Sequence, residues 1–398
     1  DGLFPIGGVS IRHIYVHDRC VDGDQNRFDK DDNVATYLVS CSVAGDLSND
    51  NSFAPSISLD GQWIAFGSLA SNLGIPDFYP NSFQQVFRRM LFDGFASKTP
   101  HGLPEGVYSK SPSHDDHLAS LELLSVDVDG NPGNSDSYDP AIDGDGDEIA
   151  FVSEADHLDA RMSDSNGVPD IFVRSFQDFA VLGEASTVRV SISSGGNEAL
   201  DVTGSGNVAQ GSLMPSIDRS GRYIAFRSHA DNITHLSPLF NGTSDIFLHD
   251  RDFDGNGLFD EVTFSGVLTE VISVNRFGYA TRSTTADPSA SSRNPSVSAD
   301  GRFVAFTSDS GGSGGLRFGR TNMFPLDSNS FRDIYLYDQN TNVQPAELPE
   351  RHPPYVMMLD PNNGDQFAAG STFFIRAYAT DISGITDSTA GIEKVELL

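Results

Sequence analysis

Short runs of alternating apolar and polar residues, cut by Asp-Gly and Ser-Gly turns, dominate the chain, and almost nothing follows a helical period. The runs recur: PSISLDGQWIAFGS from Pro55, PAIDGDGDEIAFVS from Pro140, PSIDRSGRYIAFRS from Pro215 and PSVSADGRFVAFTS from Pro295, at spacings of 85, 75 and 80 residues. Each reads as a short strand, a tight turn and an apolar second strand, the pattern of a β-hairpin. A third strand follows at QVFRRM (Gln85), DIFVRS (Asp170), DIFLHD (Asp245) and DIYLYD (Asp333), and a fourth at LELLSVDV (Leu121), STVRVSIS (Ser186) and LTEVISVN (Leu268). Four antiparallel strands repeated at a long period predict a β-propeller, whose radial repetition leaves only short sheet edges.

Ahead of the first copy, IRHIYVHDRC and ATYLVSCSV supply only the third and fourth strands of a further blade, and the fourth copy has a weak outer strand near Val343. Three completions are open: the chain ends join, the chain is a window on a longer run of repeats, or a neighbouring molecule supplies the strands. The repeats occupy residues 1–338. Residues 339–354, QNTNVQPAELPERHPP, have linker composition, and 355–398 return to strand alternation.

The pattern P-S-[IV]-S-x-D-G-[RQ]-x-[IV]-A-F-x-S followed by D-I-[FY]-[VL]-x-D resembles the WD40-like repeats of TolB-type β-propellers, from about Ile14 to Asp338. That resemblance implies an all-β fold of four-stranded antiparallel blades. The period exceeds the roughly 40–45 residues of ordinary blades, so the connecting loops are enlarged, and loops are where function concentrates. Further on, FAAGSTFFIRAYATD and GIEKVELL resemble the first three strands of a bacterial Ig-like domain. A sandwich needs about seven strands, so the expected fold class is a propeller followed by an incomplete Ig-like β-sandwich, truncated or completed in trans.

Charge narrows the partners. Asp and Glu number 56 against 25 Lys and Arg, a formal charge of −31. Such a surface repels phosphate backbones and anionic membranes and attracts divalent cations, so nucleic acid is not expected as a partner. No run approaches 18 apolar residues, so no membrane insertion is expected. The chain opens at Asp1 without a Met or a signal-peptide pattern and reads as a mature or excised piece. Its two cysteines, Cys20 and Cys41, flank a hairpin where one disulfide could form; two free thiols are the alternative.

The acidic residues sit among Gly, Asn and Ser, the composition of turns and of oxygen-ligand loops. In DFDGNGLFDE, Asp252, Asp254, Asn256 and Asp260 hold positions one, three, five and nine of an EF-hand-like loop, with Gly257 at the bend, which predicts a calcium site; position twelve is Thr263, not an acid. HDRCVDGDQNRFDK aligns with it through Asp22, Asp24 and Asp29, with Cys20 in place of the first ligand. Asp164, Asn166 and Asp170, and again Asp327, Asn329 and Asp333, precede third strands. These read mainly as Asx-turn and strand-start hydrogen bonding, with ion ligation second. DVDGNPGNSDSYD (Asp127 to Asp139) and DGDGDE (Asp143 to Glu148) read as solvated acidic turns that could also hold an ion.

Catalytic patterns are weak, and no catalytic residue is assigned. Gly311 to Gly315 fits G-x-S-x-G but lies in a low-complexity loop with no following helix. His114-Asp115-Asp116-His117 lacks a third ligand. Ser58-Leu-Asp60-Gly61-Gln-Trp63 superficially resembles the turn box of sialidases, but its spacing fits the TolB-like repeat better. The leading expectation is a secreted, calcium-stabilised structural or adhesive module of a bacterial or archaeal cell-surface protein, with other copies of itself or neighbouring surface proteins as partners. A sharper form makes it the repeating subunit of an extracellular fibre built by strand exchange. A propeller that binds a glycan or protein ligand is the second expectation, and a sialidase-like glycosidase the third.

Overall fold

A computed structural model of the chain describes residues 4–6, 9–19, 35–43, 45–74, 83–91, 121–162, 164–176, 186–200, 211–233, 243–261, 266–274, 291–309, 332–339, 355–360 and 376–380, to which all structural statements refer. The described elements are all strands. Three consecutive sheets have four antiparallel strands: β5–β8 (Ser52–Ile57, Trp63–Ser68, Gln85–Met90, Leu121–Leu123), β9–β12 (Ser137–Ile142, Glu148–Ser153, Asp170–Ser175, Ser186–Arg189) and β13–β16 (Ser212–Ile217, Tyr223–Ser228, Asp245–Asp250, Leu268–Val271). A fourth holds β17 (Ser292–Val297), β18 (Phe303–Ser308) and β19 (Asp333–Asp338). In every one the strands pair in chain order, the signature of a blade. Ahead of them β1 (Phe4–Ile6) pairs with β2 (Val9–Ile11), and β3 (Tyr15–Asp18) with β4 (Ala35–Leu38). Where the Ig-like sandwich was expected, the described residues form one antiparallel pair, β20 (Tyr355–Asp360) with β21 (Arg376–Thr380); a sandwich is not shown.

The core lies between blades. One layer joins Ala65, Val86 and Leu124 of the first blade to Ile142, Ile149, Phe151 and Phe172 of the second. The next joins Ala150, Ile171 and Val173 to Ile224, Phe226 and Phe247 of the third, and the next Ala225, Ile246 and Leu248 to Val304 and Phe306 of the fourth. Inside each blade, the Phe of the A-F motif stacks on an aromatic of the third strand: Phe66 on Phe87, Phe151 on Phe172, Phe226 on Phe247 and Phe306 on Tyr335, with centroids 5.8, 6.1, 5.7 and 5.9 Å apart.

Polar contacts repeat with the same regularity. The first residue of each inner strand donates its N–H to the blade before it: Ser52 to Arg12 O, Ser137 to Gln84 O, Ser212 to Pro169 O and Ser292 to Ser244 O, at 2.9, 2.8, 2.7 and 2.8 Å. The same serines pair Oγ to Oγ with Ser68, Ser153, Ser228 and Ser308 across the hairpin. Two residues on, Ala54, Asp139, Met214 and Asn294 have φ of 48°, 49°, 58° and 53°, and the register slips there in each hairpin. The cause is the proline that follows each of them: it has no N–H for the ladder, so the strand bulges at that point.

The turns join as well. Gly144 N–H donates to Arg219 O at 3.0 Å and Arg219 N–H to Ala299 O at 3.2 Å, linking the second, third and fourth blades. Gly146, at φ 88°, lies under Trp63 of the first blade, and a Cβ there would come within 2.4 Å of the indole.

Candidate functional site

The third strands begin with a latch. Ser125, Ser191 and Ser273 on the chain after the fourth strand's start each donate their hydroxyl, at 2.6 Å, to Gln85, Asp170 and Asp245. Each hydroxyl also accepts the next N–H, from Val86, Ile171 and Ile246. The acid of D-I-[FY] is therefore a joint between strands three and four.

Around Asp170 the latch grows into a cluster. Among the described residues, Asp164, Asp170 and Glu198 form the one group of three acids whose oxygens converge within 4.8 Å. A guanidinium already sits among them. Arg189, with its side chain 1% exposed, places Nη1 2.5 Å from Glu198 and 3.3 Å from Asp170, and Nη2 4.0 Å from Asp164. Asn166 turns its amide to Asp170 (3.1 Å) and Ala199 O (3.0 Å) and accepts Val168 N–H, while Asp164 accepts Asn166 N–H. Asp164, Asn166 and Asp170 are thus an Asx-turn leading into a strand start. Burial pushes Asp170 up to about 6 against the pull of Arg189. Burial also opposes ionisation of Glu198, but hydrogen bonds from Ser165 and Arg189 hold it down at about 2. Beside the cluster lies an open cleft of about 560 Å³ lined by Ser135, Glu154, Asp156, Asp164, Ser165, Gly167, Val168 and Pro169.

The Asp252–Asp260 loop is held by hydrogen bonds among its own residues. Asp252 accepts Gly257 N–H with both oxygens at 3.2 Å, Asp254 accepts Asn256 N–H, and Asn256 accepts Leu258 N–H. These are nested turns. Asp260, the ninth-position ligand, leaves the set: it bonds the guanidinium of Arg251, at 3.0 Å from Nε and 2.5 Å from Nη2. Arg251 is fully buried and reaches back to Glu148 of the second blade at 2.6 Å and to Gly221 O at 2.8 Å. Arg251 thus supplies a positive charge to Asp260, one of the four predicted ligands. Arg161 extends the network, donating to Asp260 O and pairing with Asp159, which also accepts Arg189 N–H.

The S-x-D-G turns use one hydrogen bond in either direction. Ser58 donates to Asp60 and Ser298 to Asp300; in the third blade the order is reversed and Ser220 donates to Asp218. In the second blade both positions are acids, Asp143 and Asp145, and burial with the neighbouring carboxylate raises Asp143 to about 8. Glu148 is raised by burial to about 7. Asp143, Glu148 and Asp170 all bind protons more tightly folded than unfolded, so stability is greatest below about pH 4 for these groups and falls as pH rises through 6 to 8. Glu198 has the opposite sign and loses its contribution as pH falls toward 2. The thermal midpoint should therefore rise when pH is lowered from 8 to 5, and Asp143→Asn should stabilise the protein at pH 8 by on the order of 2 kcal/mol. Melting curves across that range check both; a midpoint that falls on acidification to pH 5 would contradict them.

Cys41 is a buried free thiol, and its expected bridge partner, Cys20, lies outside the described residues. Cys41 makes an isolated bridge to Leu47 just as Val126 does to Pro132 and Ile192 to Glu198, so its sulfur fills a position that is aliphatic in the next two blades. Asp127 is a hairpin cap, accepting Asp129 and Asn131 N–H. Asp333 starts β19. Cys20, Asp22, Asp24, Asp29, Asp327 and Asn329 lie outside the described residues, as do Gly311 to Gly315 and His114 to His117.

No family model matches the chain, and no curated protein matches it. Among solved structures it is similar to TolB from Acinetobacter baumannii, with 13% identity and a TM-score of 0.33 over 81% of this chain and 49% of that one. It is also similar to a putative TolB from Agrobacterium tumefaciens (13%, 0.33, 83% and 79%) and to the tricorn protease (9%, 0.35, 69% and 21%). The chain spans about half the length of the first of these. Similarity at this level decides nothing about activity or partners, and the blade architecture rests on the strand order and interblade bonds of this chain itself.

Sequence reading missed Arg189 and Arg251, and it placed Glu148 in a solvated acidic turn, whereas Glu148 is fully buried. Their signal was available: Glu148 stands where the other copies carry Trp63, Tyr223 and Phe303, a charge at an aromatic position of the repeat.

Proposed function

We propose that the chain is a structural module of a cell-surface protein, a rigid spacer whose acidic residues hold blades together. The observation that supports this reading is the use of its chemistry-bearing side chains in joints: Asp170 and Asp245 latch strands, and Glu148, Asp260 and Glu198 clasp buried arginines. Arginine takes the part that calcium was expected to play, since an internal guanidinium neutralises carboxylates without an external ion. Neighbouring surface proteins or other copies of the chain are the partners this reading entails. A glycan-binding role is less favoured, because the lining of the described cleft contains no aromatic ring on which a sugar could stack.

Antibody against the chain should label intact cells that produce it; labelling only after permeabilisation overturns the surface reading. On the arginine side, EDTA should move the melting temperature by less than about 2 °C, the equivalent of under about 2 kcal/mol for a protein of this size. A fall of about 10 °C would restore a metal as the stabilising ion.

A further inference from the structure

The four blades differ at one face. In the first three, the third-strand residues that point toward the following blade are buried: Val86, Ile171 and Ile246 are each 0% exposed, and Arg88, Val173 and Leu248 at most 5%. Their counterparts in the fourth blade are Ile334, 80% exposed, and Leu336, 66% exposed. Ala305, beside them on β18, is half-buried where Ala65, Ala150 and Ala225 are fully buried.

The polar half of the interblade contact is repeated there too. Arg332 O holds the place from which Arg12, Gln84, Pro169 and Ser244 accept the first N–H of the following inner strand. Ser296 Oγ holds the place from which Ser56 and Ser216 accept Ile142 N–H (3.2 Å) and Val297 N–H (3.0 Å). Ala299 N–H holds the place from which Gly144 and Arg219 donate to the following turn.

We infer that this face of the fourth blade is a docking surface, and that its occupant is the inner hairpin, strands one and two, of a blade of the same repeat carried by another chain. Continuity fixes the kind of occupant: the patch and the strand-start acceptor are the leading half of a contact this protein makes three times over, and the hydroxyl acceptor and the turn donor each serve two of those contacts. The opposite end of the array points the same way. β3 and β4 stand as third and fourth strands, with Ile14 N–H on Ser40 Oγ as in the later latches and Ser52 N–H on Arg12 O. Among the described residues nothing pairs with the other edge of β3, which is where a second strand of this type belongs. The inference does not depend on the surface location proposed above.

The probe is a fluorescein-labelled peptide of residues 292–308, which carries the complete inner hairpin of this chain's own fourth blade, titrated with the full chain and read by fluorescence anisotropy. Saturable binding is expected, weakened by about tenfold or more in Leu336→Asp and in Ile334→Asp. Ile57→Asp, at an exposed apolar position of the first blade (52% exposed), should bind as the parent does. Because both residues on the docking face are exposed, the variants should melt as the parent does, and that melt separates lost docking from lost folding. No saturation up to about 1 mM, or equal binding by Leu336→Asp, overturns the inference. So does a parent dimer that Leu336→Asp abolishes while the peptide fails to bind, which would assign the face to a second copy packed face to face.

Discussion

Replacing Arg251 by Met should lower the unfolding free energy by about 3–5 kcal/mol. The guanidinium lies between Glu148 and Asp260, and all three side chains are buried or nearly so, at 0%, 0% and 9% exposure. Removing it leaves two carboxylates in a poorly solvated joint between the second and third blades, with Gly221 O losing its donor as well. Burial already raises Glu148 with Arg251 in place, so in the variant it should take a proton, and the loss should shrink as pH falls below 7. Urea unfolding at pH 8 and pH 5.5 measures this. Adding Glu148→Gln and Asp260→Asn to the variant should recover a large part of the loss, since the penalty lies in the unpaired charges. A single-variant loss under about 1 kcal/mol would mean that water reaches the joint.

Phe226→Ala should cost about 3–5 kcal/mol. Phe226 is fully buried in the layer between the second and third blades and stacks on Phe247 at 5.7 Å, so truncation removes transfer energy, opens a cavity and unpairs the ring. Leu336→Ala, at an apolar position 66% exposed, should change stability by less than about 0.5 kcal/mol. The contrast is the test: similar costs at the two sites would mean that the fourth blade's outer face is covered in solution by the chain itself. Equilibrium denaturation of the two variants side by side decides it.

The strand order was legible because a hairpin with Asp-Gly or Ser-Gly at its turn and A-F in its second strand can bury only one way, and four copies repeat the signal. The bulge before each proline was implicit in the same letters, since proline in a ladder forces a break. What the letters concealed was the partner of each charge. Asp260 fits a calcium loop by spacing, but Arg251, nine residues before it in the chain, turns back onto it, and Glu148 arrives from a different blade. Asp164 and Asp170 likewise look like ligands until Arg189 and Glu198 come in from the strand that follows and the hairpin beyond it. Local spacing records which oxygens are near each other, not which cation reaches them first. Cys41 has two readings for a related reason: as one of two cysteines it suggested a bridge, and its alignment with Val126 and Ile192 marks it as a small apolar filler.

The N–H that each inner strand gives to the blade before it also sets an order of growth. A blade that has formed offers its successor an acceptor and a packing face already in register, joined by a serine hydroxyl on the first and third blades, so each new hairpin meets a finished mould, and at any stage of assembly only one blade face stays wet.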